Sequence, residues 1–558
     1  MINFRLYRLA FVPALIAVVV VMFSLEGAPD ALEPGTLRGE FDGTRAATLA
    51  RQVVNRAPDR APGSEGDSLV ADMVADRFGE IPTGAVSEQR FEATYEGEDV
   101  ELRNVLLTLP GETDSMVLVV AARDAARSPA AASSAAATGV LMELANTFRI
   151  SHRLTYVLAS VSGSEAGAAG IRELVDNIPD PSVVEAVVVI SQPGAAERRS
   201  PFVVASSAGT ATASAQLVET AALAVTQQAS EAAGGSSALT QLARLAFPSG
   251  LGDQSPVIAE GIDAVAISSA GERPLDSADD QVGDVSSDSI DAFGRAVQST
   301  VGALDFSTTS PIHGPRTYIK LGSNLVPGWA LSALALALLL PAAVAAVDLV
   351  SRALRAGRGL ALSAGLIWAA ARSLPFIGAL AMLYALALVG LVPNPPFPFD
   401  PGLFGLGARG VIAFVLMAAI AAASFYLLRA RHVTADAAPT QALAACGAIT
   451  TAACLVIWLT NPYLALLLTP AAHVWITASR TGAGRRIVPV VAIGLAAIPV
   501  LGALAAVAAA LDLGPSAPWT FVIMVADGQI GLLEVAAGCL LAGSATGAAV
   551  LASRPAPA

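Results

Sequence analysis

Histidine is nearly absent from this chain. Its 558 residues include four, at positions 152, 313, 432 and 473. Only His152 and His313 lie in the mixed region before the C-terminal apolar half, so a site built from several imidazoles is excluded there. His152 precedes a strand and His313 follows the last helix of its region, so both are expected at the surface. Cysteine is as sparse: Cys446, Cys454 and Cys539 all fall within apolar segments. The stretch 26–325 has none and must be held by its core rather than by disulfides, for which its length is ample. Lysine occurs once, at Lys320, and 33 basic residues face 46 acidic ones, a net charge of −13. The acids concentrate in 26–325, which argues against nucleic acid and against docking on an anionic surface.

Apolar residues are plentiful. They make up 54% of the chain, and the mean hydropathy is +0.61, so much of the protein belongs in lipid. Residues 9–25 form a first apolar run behind Arg5 and Arg8. Ser24-Leu25-Glu26-Gly27-Ala28 is a poor small-x-small cleavage site, and the run is long enough to span, so an uncleaved signal anchor is expected. Seven further spans are expected near 327–349, 374–392, 410–428, 441–459, 463–479, 487–511 and 519–550, the last broken near Asp527-Gly528. The apolar but short 359–371 segment reads as an interfacial helix. Arginines alternate between connections. Arg352, Arg355, Arg358 and Arg372 lie in one, Arg429, Arg431 and His432 two spans later, Arg480, Arg485 and Arg486 two spans after that, and Arg554 at the tail. The intervening connections, PNPPFPFDPG, NPY and LGPSAPW, are nearly free of arginine. This bias places both termini in the cytoplasm and the 26–325 region outside a plasma membrane. Three parts follow: an anchor over 1–25, an outer domain over 26–320, and a bundle of about seven spans over 321–558.

The outer region reads as an α/β domain. Residues 44–80 have helical spacing on either side of the Arg60–Ser64 turn. Strands are expected over 102–109, 116–121, 154–161, 184–190 and 264–268, and helices over 133–148, 216–231 and 287–304. Alternating strands and helices imply a mostly parallel sheet covered on both faces. The stretch LTYVLASVSGSEAGAAG (154–170) is its centre. It runs as a buried strand, turns through Ser162-Gly163-Ser164 and is expected to enter a helix at Glu165. Small residues let a ligand approach closely at such a turn, and ligands of open α/β sheets sit at carboxyl ends of strands.

The order of motifs over 44–305 resembles the zinc aminopeptidase-like M28 peptidases. RAPGSEG (60–66), RNVLLTLPG (103–111), VLVVAARDA (117–125), AAATGVLMELA (135–145), VSGSEAGAAG (161–170) and GDQSPVIAEGIDAVAIS (252–268) carry the resemblance. A co-catalytic dizinc site needs histidine and carboxylate ligands and a general base. The resemblance places the first metal histidine at Ala122, the bridging aspartate at Ala135, the general-base glutamate at Ser164, a further metal aspartate near Ser191 and the last histidine near Leu275 or Asp276. Asp124 keeps the family's supporting acid, Glu165 keeps a ligand position, and Asp253 keeps an acid of the 252–268 motif. Asp124, Ser164, Glu165, Asp253 and Asp276 are therefore the relic-site positions. Asp124 and Glu165 admit two readings, remnants of a pocket that still binds, or a turn acid and a helix-start acid. Ser164 has no histidine or lysine beside it to activate it as a nucleophile. The acidic loop with Asp276, Asp279, Asp280 and Asp284 is a Ca²⁺ candidate or simply solvated.

In the apolar half, Asp527, Gln529 and Glu534 stand in or at the rim of the last span. Asp527 and Glu534, seven apart, would share a helix face, with His473 as a possible partner. The resemblance and its missing ligands imply a non-catalytic binding or scaffold subunit without a cofactor. Its expected partners are membrane lipids and other membrane or cell-envelope proteins or peptides. An active zinc exopeptidase and a transporter with an outer accessory domain are the alternatives. The layout is also similar to that of the attachment-factor subunit of the eukaryotic GPI transamidase, by architecture and not by sequence.

Overall fold

The computed structural model describes residues 4–35, 39–149, 152–356, 360–430, 438–478 and 487–553. Arg358, Arg431, His432, Arg480, Arg485, Arg486 and Arg554 lie outside them. The strands are β1 (Glu26–Gly27), β2 (Ala85–Tyr95), β3 (Glu98–Leu109), β4 (Met116–Ala122), β5 (Thr155–Val161), β6 (Val184–Ser191), β7 (Val203–Val204), β8 (Ala264–Ser268), β9 (Tyr318–Leu321) and β10 (Asn324–Pro327). β2 to β8 form one seven-stranded sheet in the order β2-β3-β5-β4-β6-β8-β7. Its inner four, β5-β4-β6-β8, are parallel. The outer pairings are antiparallel. The sheet is thus mixed where a mostly parallel one was expected. The difference lies at the edges, where β2 and β3 make a hairpin around Glu96-Gly97, both at positive φ, as a two-residue turn between twisted strands requires.

The inner strands are legible from composition. Val117 to Ala121 and Ala186 to Ile190 are buried at every position, the pattern of strands covered on both faces. Helices Gly43–Arg56 and Glu65–Gly79 flank the Arg60–Ser64 turn. They are capped by Asp42 and Ser64, whose side chains accept from Arg45 N and Asp67 N, which satisfies otherwise orphaned amides. The helix after β5 begins at Ala169, not at Glu165. Gly163, Gly167 and Ala168 all have positive φ, so residues 162–168 form a looped turn, closed by Ala168 N to Ser164 O and Ala169 N to Gly163 O, and not a regular helix. An alanine added at position 163 would place its Cβ 2.6 Å from Leu102 Cδ1, so glycine is required there. His152 is not at the surface. It is buried and stacked on Tyr156, with ring centroids 4.0 Å apart, because its ring completes the apolar cover of β5. His313 is partly exposed and pairs with Asp263 at 3.0 Å.

The C-terminal half is helical. Among the described residues six helices are long and apolar enough to cross a membrane: Arg5–Phe23, Gly328–Arg355, Ala408–Ala430, Pro439–Thr460, Val490–Ala510 and Leu532–Ala552. The pair Leu362–Ala371 and Leu374–Leu388, bent by 45°, makes a seventh if read as one broken span. Trp368 and Ala369 are buried, and Leu360–Ala371 packs against Pro439–Thr460. Helix Pro462–Ala478 has 17 residues. Leu15, Ile16, Val415 and Phe425 point outward, an apolar exterior suited to lipid and not to water.

The overlong last segment resolves into helix Ala517–Asp527 and helix Leu532–Ser553. Gly528 at φ +90° breaks them apart. Asp527 and Glu534 therefore share no helix face. Glu534 lies in the first turn of its helix, where a carboxylate complements the helix dipole. Gln529 turns to the α/β domain and donates to Ala208 O (2.7 Å) and Pro248 O (3.0 Å). His473 belongs to a different set of contacts. Its Nε2 donates to Leu338 O (2.8 Å), its Nδ1 shares a hydrogen bond with Tyr7 Oη (2.8 Å), and its ring stacks on Phe11, which ties the N-terminal helix to the bundle.

The two halves are joined through packing as well as chain. Ala243, Leu245, Ala246 and Phe247 share one apolar core with Leu464, Val507 and Leu511 of the bundle. All three arginine-poor connections meet the α/β domain. Asp400 pairs with Arg127, Asn461 donates to Leu245 O and Ala246 O at 3.0 Å each, and Asp512 O accepts from Arg273 at 3.1 Å.

Candidate functional site

The relic positions stand where the parallel strands end. Ala122 closes β4, Ser164 and Glu165 follow β5, Ser191 closes β6, and Leu275 and Asp276 follow β8. The structure brings Asp124, Ser164, Glu165 and Asp253 together and leaves Asp276 at the rim. Asp124 is buried and accepts Ser164 N on Oδ1 and Glu165 N on Oδ2, each at 3.2 Å. It thereby fixes the 162–168 loop. Ser164 Oγ donates to Asp253 Oδ1 at 2.8 Å. The hydroxyl proton is thus held by a carboxylate, and no histidine or lysine stands beside Ser164. Asp276 pairs with Arg273 at 3.0 Å and Arg127 at 3.5 Å.

Three of these acids titrate high. Burial, reinforced by the negative Asp67, pushes Asp124 up to about 7, against the pull of its two backbone amides. Burial pushes Asp253 up to about 6, opposed by the Ser164 hydroxyl. Glu165 rises to about 8 through burial and then the charges of Asp400 and Asp124, with Arg127 opposing. Desolvation disfavours the charged form in each case. The cluster can hold and release protons around neutrality.

The floor is built by a residue that sequence patterning gave no reason to single out. Arg123 is fully buried between Ala122 and Asp124. Its Nε lies 2.8 Å from Asp67 Oδ1, and its guanidinium donates to Ser160 O at 3.0 Å and to Arg103 O. Ser162 Oγ donates to Asp67 Oδ2 at 2.7 Å. A buried ion pair of this kind, braced by the Ser162 hydroxyl, orders the strand ends around it.

The opposite corner is apolar. Ala135 is completely buried in the main core. Leu275 packs with Ala132, Ala195 and Ala270 in a separate cluster. Gln192, directly after β6, accepts Leu275 N on Oε1 at 2.8 Å and donates to Arg273 O at 3.1 Å. Hydrogen bonds and methyl groups hold this corner where a metal site would place ligands. Zinc takes histidine, cysteine or carboxylate donors in a closed or nearly closed shell. Ala122, Ala135 and Leu275 offer none and Ser164 and Ser191 only hydroxyls, so the donor set does not fit zinc. Among the described residues no three His, Cys, Asp or Glu side chains are grouped to hold a metal ion. The acidic loop has other duties. Asp280 accepts Ala132 N (2.6 Å) and Ser133 N (3.1 Å), Asp279 pairs with Arg199, and Asp284 accepts Gln281 N.

A second residue without a sequence signal is Asp400, from the apolar half. It is almost fully buried against Arg127, and its charge is among those that raise Glu165.

Residues 104–301 match the model of peptidase family M28, so the α/β domain is M28 peptidase-like. Among solved structures, a glutaminyl cyclase from an Acidobacteriales bacterium is 17% identical with a TM-score of 0.38, over 50% of this chain and 99% of that one. A Zn-dependent exopeptidase from Parabacteroides distasonis is 16% identical with a TM-score of 0.36, over 46% of this chain and 97% of that one. A leucine aminopeptidase precursor from Bacteroides thetaiotaomicron is 13% identical with a TM-score of 0.36, over 49% and 100%. No curated protein matches the chain.

Proposed function

We propose that this chain is a polytopic membrane protein whose M28 peptidase-like domain has lost its catalysis and serves as a binding or scaffold element. The observation that carries the reading is the donor set at the strand ends. Alanine at 122 and 135, serine at 164 and 191 and leucine at 275 supply neither a metal shell nor a general base. The surviving acids have been turned inward, Asp124 onto two loop amides and Asp253 onto Ser164. No cofactor is assigned. The domain lies outside the plasma membrane with both termini in the cytoplasm, a placement supported by the arginines of alternate connections and by the contact of the arginine-poor ones with the domain. The N-terminal helix is an uncleaved anchor, supported by its packing against Gly328–Ala356. Partners are membrane lipids and envelope proteins or peptides.

The test is the zinc content of the purified full-length protein by elemental mass spectrometry after dialysis, with an aminopeptidase assay on the same sample. Zinc well below one per chain and no hydrolysis are expected. One or two retained zinc ions per chain with turnover would replace this reading by an active exopeptidase.

A further inference from the structure

The carboxyl edge of the parallel strands, where a ligand of such a sheet would enter, is turned toward the bundle and covered by it. Loops following β4, β5 and β8 each touch it. Arg127 after β4 pairs with Asp400. After β5, Arg172 donates to Phe397 O at 3.2 Å, and a Cβ on Gly167 would lie 2.8 Å from Pro396 Cβ. After β8, Arg273 meets Asp512. Three of these four contacts fall on one connection, residues 392–404, between helices Leu374–Leu388 and Ala408–Ala430.

This connection is built as a rigid piece. It carries prolines at 393, 395, 396, 398 and 401, which restrict the free loop and lower the entropy lost on docking. Val392, Phe397 and Phe399 are buried with Trp519 and Ile523. Asp400 keeps only 3% of its side chain exposed, against 18% for Arg127, and its second oxygen accepts Gly402 N at 2.8 Å. Withdrawing the connection from the domain would separate this largely buried ion pair and break the bond from Arg172 to Phe397 O. An ordinary surface loop has no such commitment.

We propose that the 392–404 connection is the resident occupant of the relic cleft. The groove that would receive a peptide holds a proline-rich segment of the same chain, latched by Arg127 and Asp400, and so works as the socket that docks the α/β domain on its own bundle. The proposal rests on the non-catalytic reading and names that site's partner.

Labelling of the full-length protein in membranes tests it. The native cysteines are buried and the α/β domain has none, so Ser164→Cys is a single reporter inside the cleft for a membrane-impermeant maleimide. The reporter is expected to label slowly in the parent. Labelling should be about tenfold faster with Arg127→Asp and slow again in Arg127→Asp/Asp400→Arg. If Arg127→Asp does not accumulate in membranes, Asp400→Asn is read in the same way. Fast labelling of the parent, equal rates in all variants, or no recovery in the charge swap overturns the socket. Zinc measured on the parent separates the two readings. Fast labelling without zinc removes the socket alone, and retained zinc with turnover removes the non-catalytic reading.

Discussion

Replacing Asp124 by asparagine should make the 162–168 loop less stable below about pH 4 and more stable from about pH 5 upward. Asp124 is nearly fully buried, and its carboxyl is raised from 3.8 to about 7. A carboxyl raised in the fold favours the protonated form, so its contribution is complete below about pH 4 and is lost as pH climbs through about 7. At about 1.4 kcal/mol per pH unit, the loss from this group approaches about 4 kcal/mol by pH 8. Asp253 near 6 and Glu165 near 8 act in the same direction. Asparagine removes the charge but turns one acceptor of the two loop amides into a donor, a loss of about 1 kcal/mol or somewhat more at every pH. The parent's loss reaches about 1 kcal/mol near pH 4.5, so the two variants should cross between about pH 4 and pH 5, with asparagine the more stable above. All five tryptophans lie at or beyond Trp329, so tryptophan fluorescence would report on the bundle instead. The assay is hydrogen exchange of peptides covering 155–176, corrected for the intrinsic rate. Parent protection that stays flat from pH 5 to pH 8, or an asparagine variant less protected at both ends, would refute the reasoning.

Two further substitutions probe the joint between the halves. Asn461→Ala removes the acceptor for Tyr463 N (3.1 Å) and Leu464 N (3.0 Å) and the donor to Leu245 O and Ala246 O. It should cost about 2 kcal/mol, seen as a lower tryptophan-detected Tm and faster exchange in 238–246. An unchanged Tm would show that the contact adds nothing. Glu272→Ala strands Arg244, which it holds at 2.6 Å, and frees Ser206 Oγ and Leu251 N. Breaking a buried pair from one side should cost about 3–5 kcal/mol, measured by thermal denaturation, and a loss under about 1 kcal/mol would contradict the buried-pair argument.

The core strands were readable because VLVV at 117–120 and VVVI at 187–190 are apolar at every position, which only a doubly covered strand tolerates. β2 escaped because its residues alternate between exposed and half-buried positions on the sheet edge, leaving no apolar period to read. The short Ala238–Ala246 helix escaped for another reason. Its apolar face is buried against bundle helices, far from it in sequence, rather than against the sheet. At the site, the order of motifs named Asp124, Ser164, Glu165 and Asp253, which stand together at the strand ends, and Asp276, which stands at the rim. The same order could not show that Asp124 binds amides, nor that Arg127 meets a residue 273 positions away. Such a pairing depends on how two separately patterned halves dock, and single-residue patterning carries no trace of it.

The three-stranded sheet β1-β10-β9 has a consequence for how such a chain can change over time. Glu26 pairs with Leu325 and Gly27 with Asn324, and Ala28 N donates to Ser323 O. The chain leaves the first apolar helix and returns to the second at the same point. Everything between is a cassette, excisable at the level of the gene by one short turn joining β1 to β10, with neither helix moved. Recombination could exchange it whole. A replacement would inherit three obligations from the bundle: a cation for Asp400, free carbonyls for Asn461, and a pair of carbonyls for Gln529.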